Sequence, residues 1–203
     1  RSDEQTKLKA VLSVCTVVYY SILEFCNNRL YGMDTIMNTI EVIKEKLNLK
    51  PHPEGGFYRE SYRSADCIHP DSLTPEYKDQ RHYSTCIYYL LTLGNFSAFH
   101  RIRQDEIWHF YDGTAIHLHT ISPEGQYQKH IIGPNIIYGE FPQLIVPGGH
   151  WFAAEVTVPN SYSLVGCTVS PGFHFDDFEL GNRNELINRF PHHREVIIRL
   201  SRS

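Results

Sequence analysis

The sequence predicts a mainly β domain, a sandwich or barrel of many short strands, with helices at its N-terminal end. Three observations carry this. Beyond Pro53, short apolar runs rich in Val, Ile, Tyr and Phe alternate with Gly, Pro, Asn and Asp, the punctuation of closely spaced strands. Before Pro53, apolar residues recur at helical spacing. The 203 residues suffice for one domain with a real core, and no repeat, low-complexity tract or second boundary divides them.

Taken in order, residues 10–26 are rich in Val, Ile, Leu and Tyr but are interrupted by Ser13, Thr16, Ser21 and Glu24. That length and those interruptions favour a packed helix over a signal or membrane anchor, which is the alternative reading. Residues 1–32 are expected to form a helical extension and 33–203 the domain proper. From Asp34 to Leu47, Ile36, Ile40, Ile43 and Leu47 mark one buried stripe, Asp34 is a fair N-cap, and Pro51 and Pro53 stop the helix. Strands are expected over 56–62, 85–93, 97–101, 106–112, 115–121, 126–132, 143–146, 151–156 and 163–169. Gly94-Asn95, Asp112-Gly113, Gly133-Pro134-Asn135 and Pro147-Gly148-Gly149 supply turns between them. A short helix is expected over 182–190, followed by the apolar run 196–200.

Composition excludes some classes. The formal charge is only −4 and no Lys/Arg run stands out, so no nucleic-acid partner is expected. The five cysteines are odd in number and form no CxxC pair, which argues against a disulfide framework or zinc ribbon and for a reducing, cytoplasmic setting. No stable membrane partner is expected.

The stretch from Gly94 to Gly113 carries the chemistry. Its fixed points are Gly94, His100, Ile102, Glu106 and Gly113. Residues two apart in a strand share a face. Glu106, Trp108 and Phe110 therefore point one way and His109 the other. His100 pairs with Ile102, and His117 with His119. His100 and Glu106 inside a barrel, walled by Trp108 and Phe110, would make a polar spot in an aromatic pocket, the default binding site. The bland alternative is a structural hydrogen-bonded pair. A second cluster, His52-Pro53-Glu54-Gly55-Gly56-Phe57-Tyr58-Arg59-Glu60, reads on its own as an ordinary loop entering an edge strand, with Arg59 and Arg63 in surface ion pairs; Glu54, Tyr58, Arg59 and Glu60 become candidate ligand-binding residues by the family resemblance given below. Arg59 is suited to a phosphate or carboxylate.

The Gly94–Gly113 spacing resembles the first cupin motif. The second motif is approximated by Pro147-Gly148-Gly149, with Phe152 where its His is expected and His150 nearby. Together with His52–Glu60, Phe99–Ile102, Asp105–Gly113 and Gly166–Leu180, these stretches resemble the DUF985 cupin family over residues 33–200. The resemblance implies an RmlC-like double-stranded β-helix, the cupin jelly roll, forming a homodimer around a small-molecule ligand, with activity poorly defined for the family. Two of the four usual metal ligands are kept, His100 and Glu106; Ile102 and Phe152 replace the others. No resident cofactor is therefore expected. If a divalent metal were held, His150 would join His100 and Glu106. RmlC itself is a metal-free sugar-nucleotide epimerase. By that likeness, His100 would be the base with Glu106 orienting it, and Tyr111 or Tyr162 the acid. Arg59 or Arg101 would meet an anionic group, with His117 among the pocket residues. The ligand would be sugar-like or nucleotide-like and the reaction an epimerase or isomerase proton transfer. The alternatives are a metal-dependent cupin enzyme and a non-catalytic binding cupin.

Overall fold

The computed structural model describes residues 37–202. The expected extension over 1–32 and the apolar segment 10–26 lie outside the described residues. Contacts divide the chain into Arg1–Val42 and Ile43–Ser203, and among the described residues every strand belongs to the second unit. Residues 37–46 are helical (α1). Among the described residues, no helix is long and apolar enough to cross a membrane.

Thirteen strands follow: β1 Lys50–Pro51, β2 Phe57–Arg63, β3 Cys67–Ile68, β4 Arg81–His82, β5 Thr85–Thr92, β6 Ser97–Ile102, β7 Glu106–Gly113, β8 Ile116–Ile121, β9 Tyr127–Ile132, β10 Gln143–Val146, β11 Trp151–Val156, β12 Tyr162–Val169 and β13 Phe178–Leu180. Two short helices end the chain, α2 Arg183–Arg189 and α3 Arg194–Arg199. The long strands are antiparallel. They form a six-stranded sheet ordered β1-β2-β5-β12-β7-β10 and a five-stranded sheet ordered β13-β6-β11-β8-β9. The crossovers between non-consecutive neighbours are those of a jelly roll, so the architecture is the mainly β one that the sequence predicts.

Strand parity decides what lies between the sheets. Tyr89, Leu91, Trp108, Val165 and Cys167 of the larger sheet meet Ile102, Ile116, Leu118, Phe152 and Ala154 of the smaller one. The alternate residues of the smaller sheet are not left in water. Phe99, Ile121, Trp151 and Ala153 pack against Leu186, Phe190, Ile197 and Leu200 from the C-terminal helices. Asn182 starts α2 by accepting from the Asn184 and Glu185 amides at 3.0 and 3.2 Å. The smaller sheet is thus apolar on both faces, which is why Trp151–Val156 reads as an almost unbroken hydrophobic run.

Two local devices position the site. Gly55 and Gly56 both have positive φ, +118° and +68°. A Cβ on Gly55 would collide with the Phe96 carbonyl, and one on Gly56 would lie 2.9 Å from the Leu90 carbonyl. Only glycine fits, and this tight turn swings Glu54 inward. On the far side, Arg81 and Asp177 form a fork-to-fork pair, Nε–Oδ2 2.7 Å and Nη2–Oδ1 2.9 Å, with both side chains 2% exposed. Gln104 Nε2 donates to the same carboxylate at 2.8 Å. This pair ties β4 to the segment 173–178.

Candidate functional site

Between the sheets lies a cavity of about 380 Å³. Its deep polar residues are Glu54, His100, Glu106 and Cys167. Tyr58, Ile87, Tyr89 and Ile102 give it apolar walls, Phe173, Phe175 and Phe178 border it, and Lys50, Glu60 and Arg63 sit on its exposed side.

His100 comes from β6 and is 2% exposed. Its Nδ1 lies 2.8 Å from the Ala98 carbonyl. A carbonyl only accepts, so Nδ1 carries the hydrogen. Nε2 lies 3.1 Å from Glu54 Oε2. Burial brings the His100 pKa down to about 4, a drop the Ala98 bond opposes, and burial also raises that of Glu54. Both shifts have one physical cause: burial disfavours the charged form of each partner. The other Glu54 oxygen accepts from Ser97 Oγ at 2.9 Å. Glu106, 8% exposed, has its pKa pushed up to about 8, first by burial and then by the Glu54 charge. The Cys167 thiol, itself pushed well up by burial, hydrogen-bonds it. Two buried carboxyl groups therefore face the cavity, and burial favours the protonated form of each.

Of the residues singled out in the sequence, His100, Glu106, Glu54, Tyr58, Arg59 and Glu60 line this cavity. The orienting carboxylate of His100 is corrected: it is Glu54, because the Gly55-Gly56 turn delivers it to Nε2. Glu60 is engaged by Arg63 at 2.6 Å. The Arg59 guanidinium lies 5.4 Å from the Tyr88 ring centroid, its Nε buried without a partner.

Six candidates fall elsewhere. Trp108 shares the inward face of Glu106 but is fully buried behind the cavity wall, edge-on to Tyr89 and Phe152. Tyr111, of opposite parity to Glu106, is 46% exposed on the outer face of the larger sheet against Tyr88 and Gly166. Tyr162 donates to Asp112 at 2.7 Å, away from the cavity. Arg101 lies on the outer face of the smaller sheet, stacked on Trp151 and paired with Glu179. His117 lies on that same outer face, since β8 turns Ile116 and Leu118 inward instead. His150 sits in the turn before β11 and does not line the cavity. Sequence reasoning missed His52, Tyr89, Cys167 and the Phe173–Phe178 border. Only Tyr89 and Cys167 had a usable signal, their strand parity.

The cavity does not fit the usual cupin metal. Ile102 and Phe152 fill two ligand positions with hydrocarbon, and the Phe152 ring centroid lies 4.0 Å from that of His100, the rings tilted by 57°. Both His100 nitrogens are already hydrogen-bonded. The set His100, Glu106 and His150 does not assemble there. The described residues do bring three donors together elsewhere: His117, His119 and Glu155, with donor atoms within 4.8 Å of one another. Burial lowers the pKa of both imidazoles, His119 to about 4 despite Glu155 beside it.

Comparison with known proteins agrees with this architecture. The family model "Cupin superfamily (DUF985)" matches residues 41–181. The uncharacterized protein YML079W of Saccharomyces cerevisiae is 31% identical over 156 residues, 72% of this chain and 73% of its own length. A solved hypothetical protein from Leishmania major superposes with a TM-score of 0.74 at 35% identity, covering 80% of this chain and 98% of its own. Protein SO0799 from Shewanella oneidensis gives 0.71 at 41% identity, over 80% and 96%. With a matched model spanning most of the jelly roll and both cavity carboxyls within it, the chain belongs to the DUF985 family of the cupin superfamily.

Proposed function

We propose that the cavity binds a small, hydroxylated, carbonyl-bearing compound, sugar-like or nucleotide-like, and moves a proton next to its carbonyl without a metal. One observation carries this reading: the hydrogen-bonded His100–Glu54 pair and Glu106, all buried, line the same cavity, and burial favours the protonated form of both carboxyls. Glu54 passes its proton to His100 Nε2 and takes a second from the ligand carbon. The pair then carries one positive charge. The electron pair left behind moves onto the ligand oxygen as an enolate, to which Glu106 donates its hydrogen bond or proton. Return of the proton to either face of that carbon completes an epimerisation or isomerisation. Glu106 supplies the acid that the sequence placed on Tyr111 or Tyr162. Lys50 and Arg63, on the exposed side, suit an anionic substituent.

The test is hydrogen exchange in heavy water. Keto sugars and nucleotide-linked keto sugars are incubated with the protein and followed by NMR. Deuterium is expected at the carbon beside the carbonyl, with or without chelator. His100→Gln should retain ligand binding and lose exchange by about two to four orders of magnitude. Ligand binding with no exchange in the wild type would overturn the enzymatic reading and leave a binding cupin.

A further inference from the structure

A second constellation lies on the opposite face of the smaller sheet. His117 and His119 are two residues apart on β8, and Glu155 of β11 stands directly opposite His117 in the ladder. In a strand these positions share one side, and the cross-strand partner is the nearest neighbour available. The result is two imidazoles and a carboxylate, with donor atoms within 4.8 Å of one another. His119 Nε2 is 3.1 Å from Glu155 Oε1. The Arg199 guanidinium, from α3, pairs with the same carboxylate, and its side chain is 50% exposed.

We propose that His117, His119 and Glu155 form a binding site for a divalent cation of the zinc type, guarded by Arg199. Two imidazoles and one carboxylate select borderline first-row cations over calcium or magnesium. The outer support is already built. His119 Nδ1 lies 2.8 Å from the Tyr127 hydroxyl, and the two rings stack at 6.0 Å. With Nε2 on a cation, Nδ1–H donates to that oxygen and fixes the ring. Arg199 supplies positive charge to Glu155 in the absence of metal. Because half of its side chain is in water, it leaves the carboxylate at little cost. The vacated side gives the cation an open position for water. The sheet itself separates this site from the cavity, since Leu118 and Ala154 point inward while the three donors point out. A bound cation would clamp β8 to β11 beneath the C-terminal helices.

The test uses the full chain and Zn²⁺ alone, with titration calorimetry and elemental analysis after dialysis. One equivalent is expected to bind at this site. His117→Asn and Glu155→Gln should each weaken it by at least about tenfold, the loss already typical of outer-shell partners. Arg199→Gln should strengthen it by up to about fivefold, because an exposed competitor is gone. His100→Asn, in the cavity, should leave zinc affinity at this site as it is. Zinc binding that is absent, that is unaffected by His117→Asn and Glu155→Gln, or that is lost in His100→Asn would overturn the proposal. So would an Arg199→Gln variant that binds no more tightly than the wild type.

Discussion

Glu106→Gln is expected to abolish proton transfer and, at the same time, to make the protein more stable. The loss in exchange should be about two to four orders of magnitude, since an amide cannot give up its proton to an enolate. The gain comes from burial. Glu106 has a folded pKa of about 8 against an ordinary value of 4.5. Below about pH 4.5 the carboxyl is protonated in both states and contributes no pH dependence. Above it the unfolded chain releases a proton that the folded chain keeps, so this group's contribution falls with rising pH until about 8. At pH 7 that amounts to about 3 kcal/mol against the fold. Glutamine is spared most of it, so a gain of about 1–3 kcal/mol is expected. Glu54 and His100 titrate in both proteins, and the difference between variant and wild type cancels them in first order. Chemical unfolding at pH 5 and pH 8 checks the point: the gap between the two proteins must widen as pH rises. A constant gap would mean that Glu106 ionises freely in the fold and cannot serve as the acid.

Asp177→Ala should be strongly destabilising. The Asp177 carboxylate accepts from Arg81 Nε and Nη2 and from Gln104 Nε2. Removing it leaves a guanidinium in a site where only 2% of that side chain is exposed. Breaking one partner of a buried pair costs about 3–5 kcal/mol, because the other charge is stranded. Arg81 keeps its bonds to the Asp79 and Gln80 carbonyls, but these are neutral acceptors. The double variant Arg81→Met/Asp177→Leu should lose less than Asp177→Ala alone, since no charge is then left unpaired. Urea unfolding of the three proteins decides it. Equal stability of Asp177→Ala and wild type would show that the pair is solvated in solution. Since Asp177 closes the segment that carries Phe173 and Phe175, the same variant should also bind cavity ligands more weakly.

Much of the fold was legible because two-residue periodicity survives in single strands. The expected runs 85–93, 106–112, 143–146 and 151–156 fall on β5, β7, β10 and β11 with ends matching to about a residue. What was missed was too short to show a period: β1, β3 and β4 have two residues each, and β13 has three. The site divided in the same way. Parity placed Glu106 and Trp108 on one face, but parity names a side and never a neighbour. That His100 meets Glu54 depends on a glycine turn and a sheet pairing, neither written in the spacing of either motif. For His117, parity fixed its companion His119 but left open which face of β8 looked inward. The C-terminal helices settled that by burying Ile121 and Trp151 on the outside.

The turn that carries Glu54 has one more partner. Arg202 Nη2 donates to the Glu54 and Phe96 carbonyls at 3.3 Å, and the Phe99 amide donates to the Leu200 carbonyl at 2.8 Å. The acid–base pair is thus fastened by a residue 148 positions away along the chain. Contacts of such long range are slow to form, because the intervening loop must close before they return anything. A chain that has collapsed but not yet seated its last helix lacks this anchor on its Glu54 turn. The proposed proton transfer would therefore belong to the finished molecule alone, and a half-folded population would count as inert in the exchange assay.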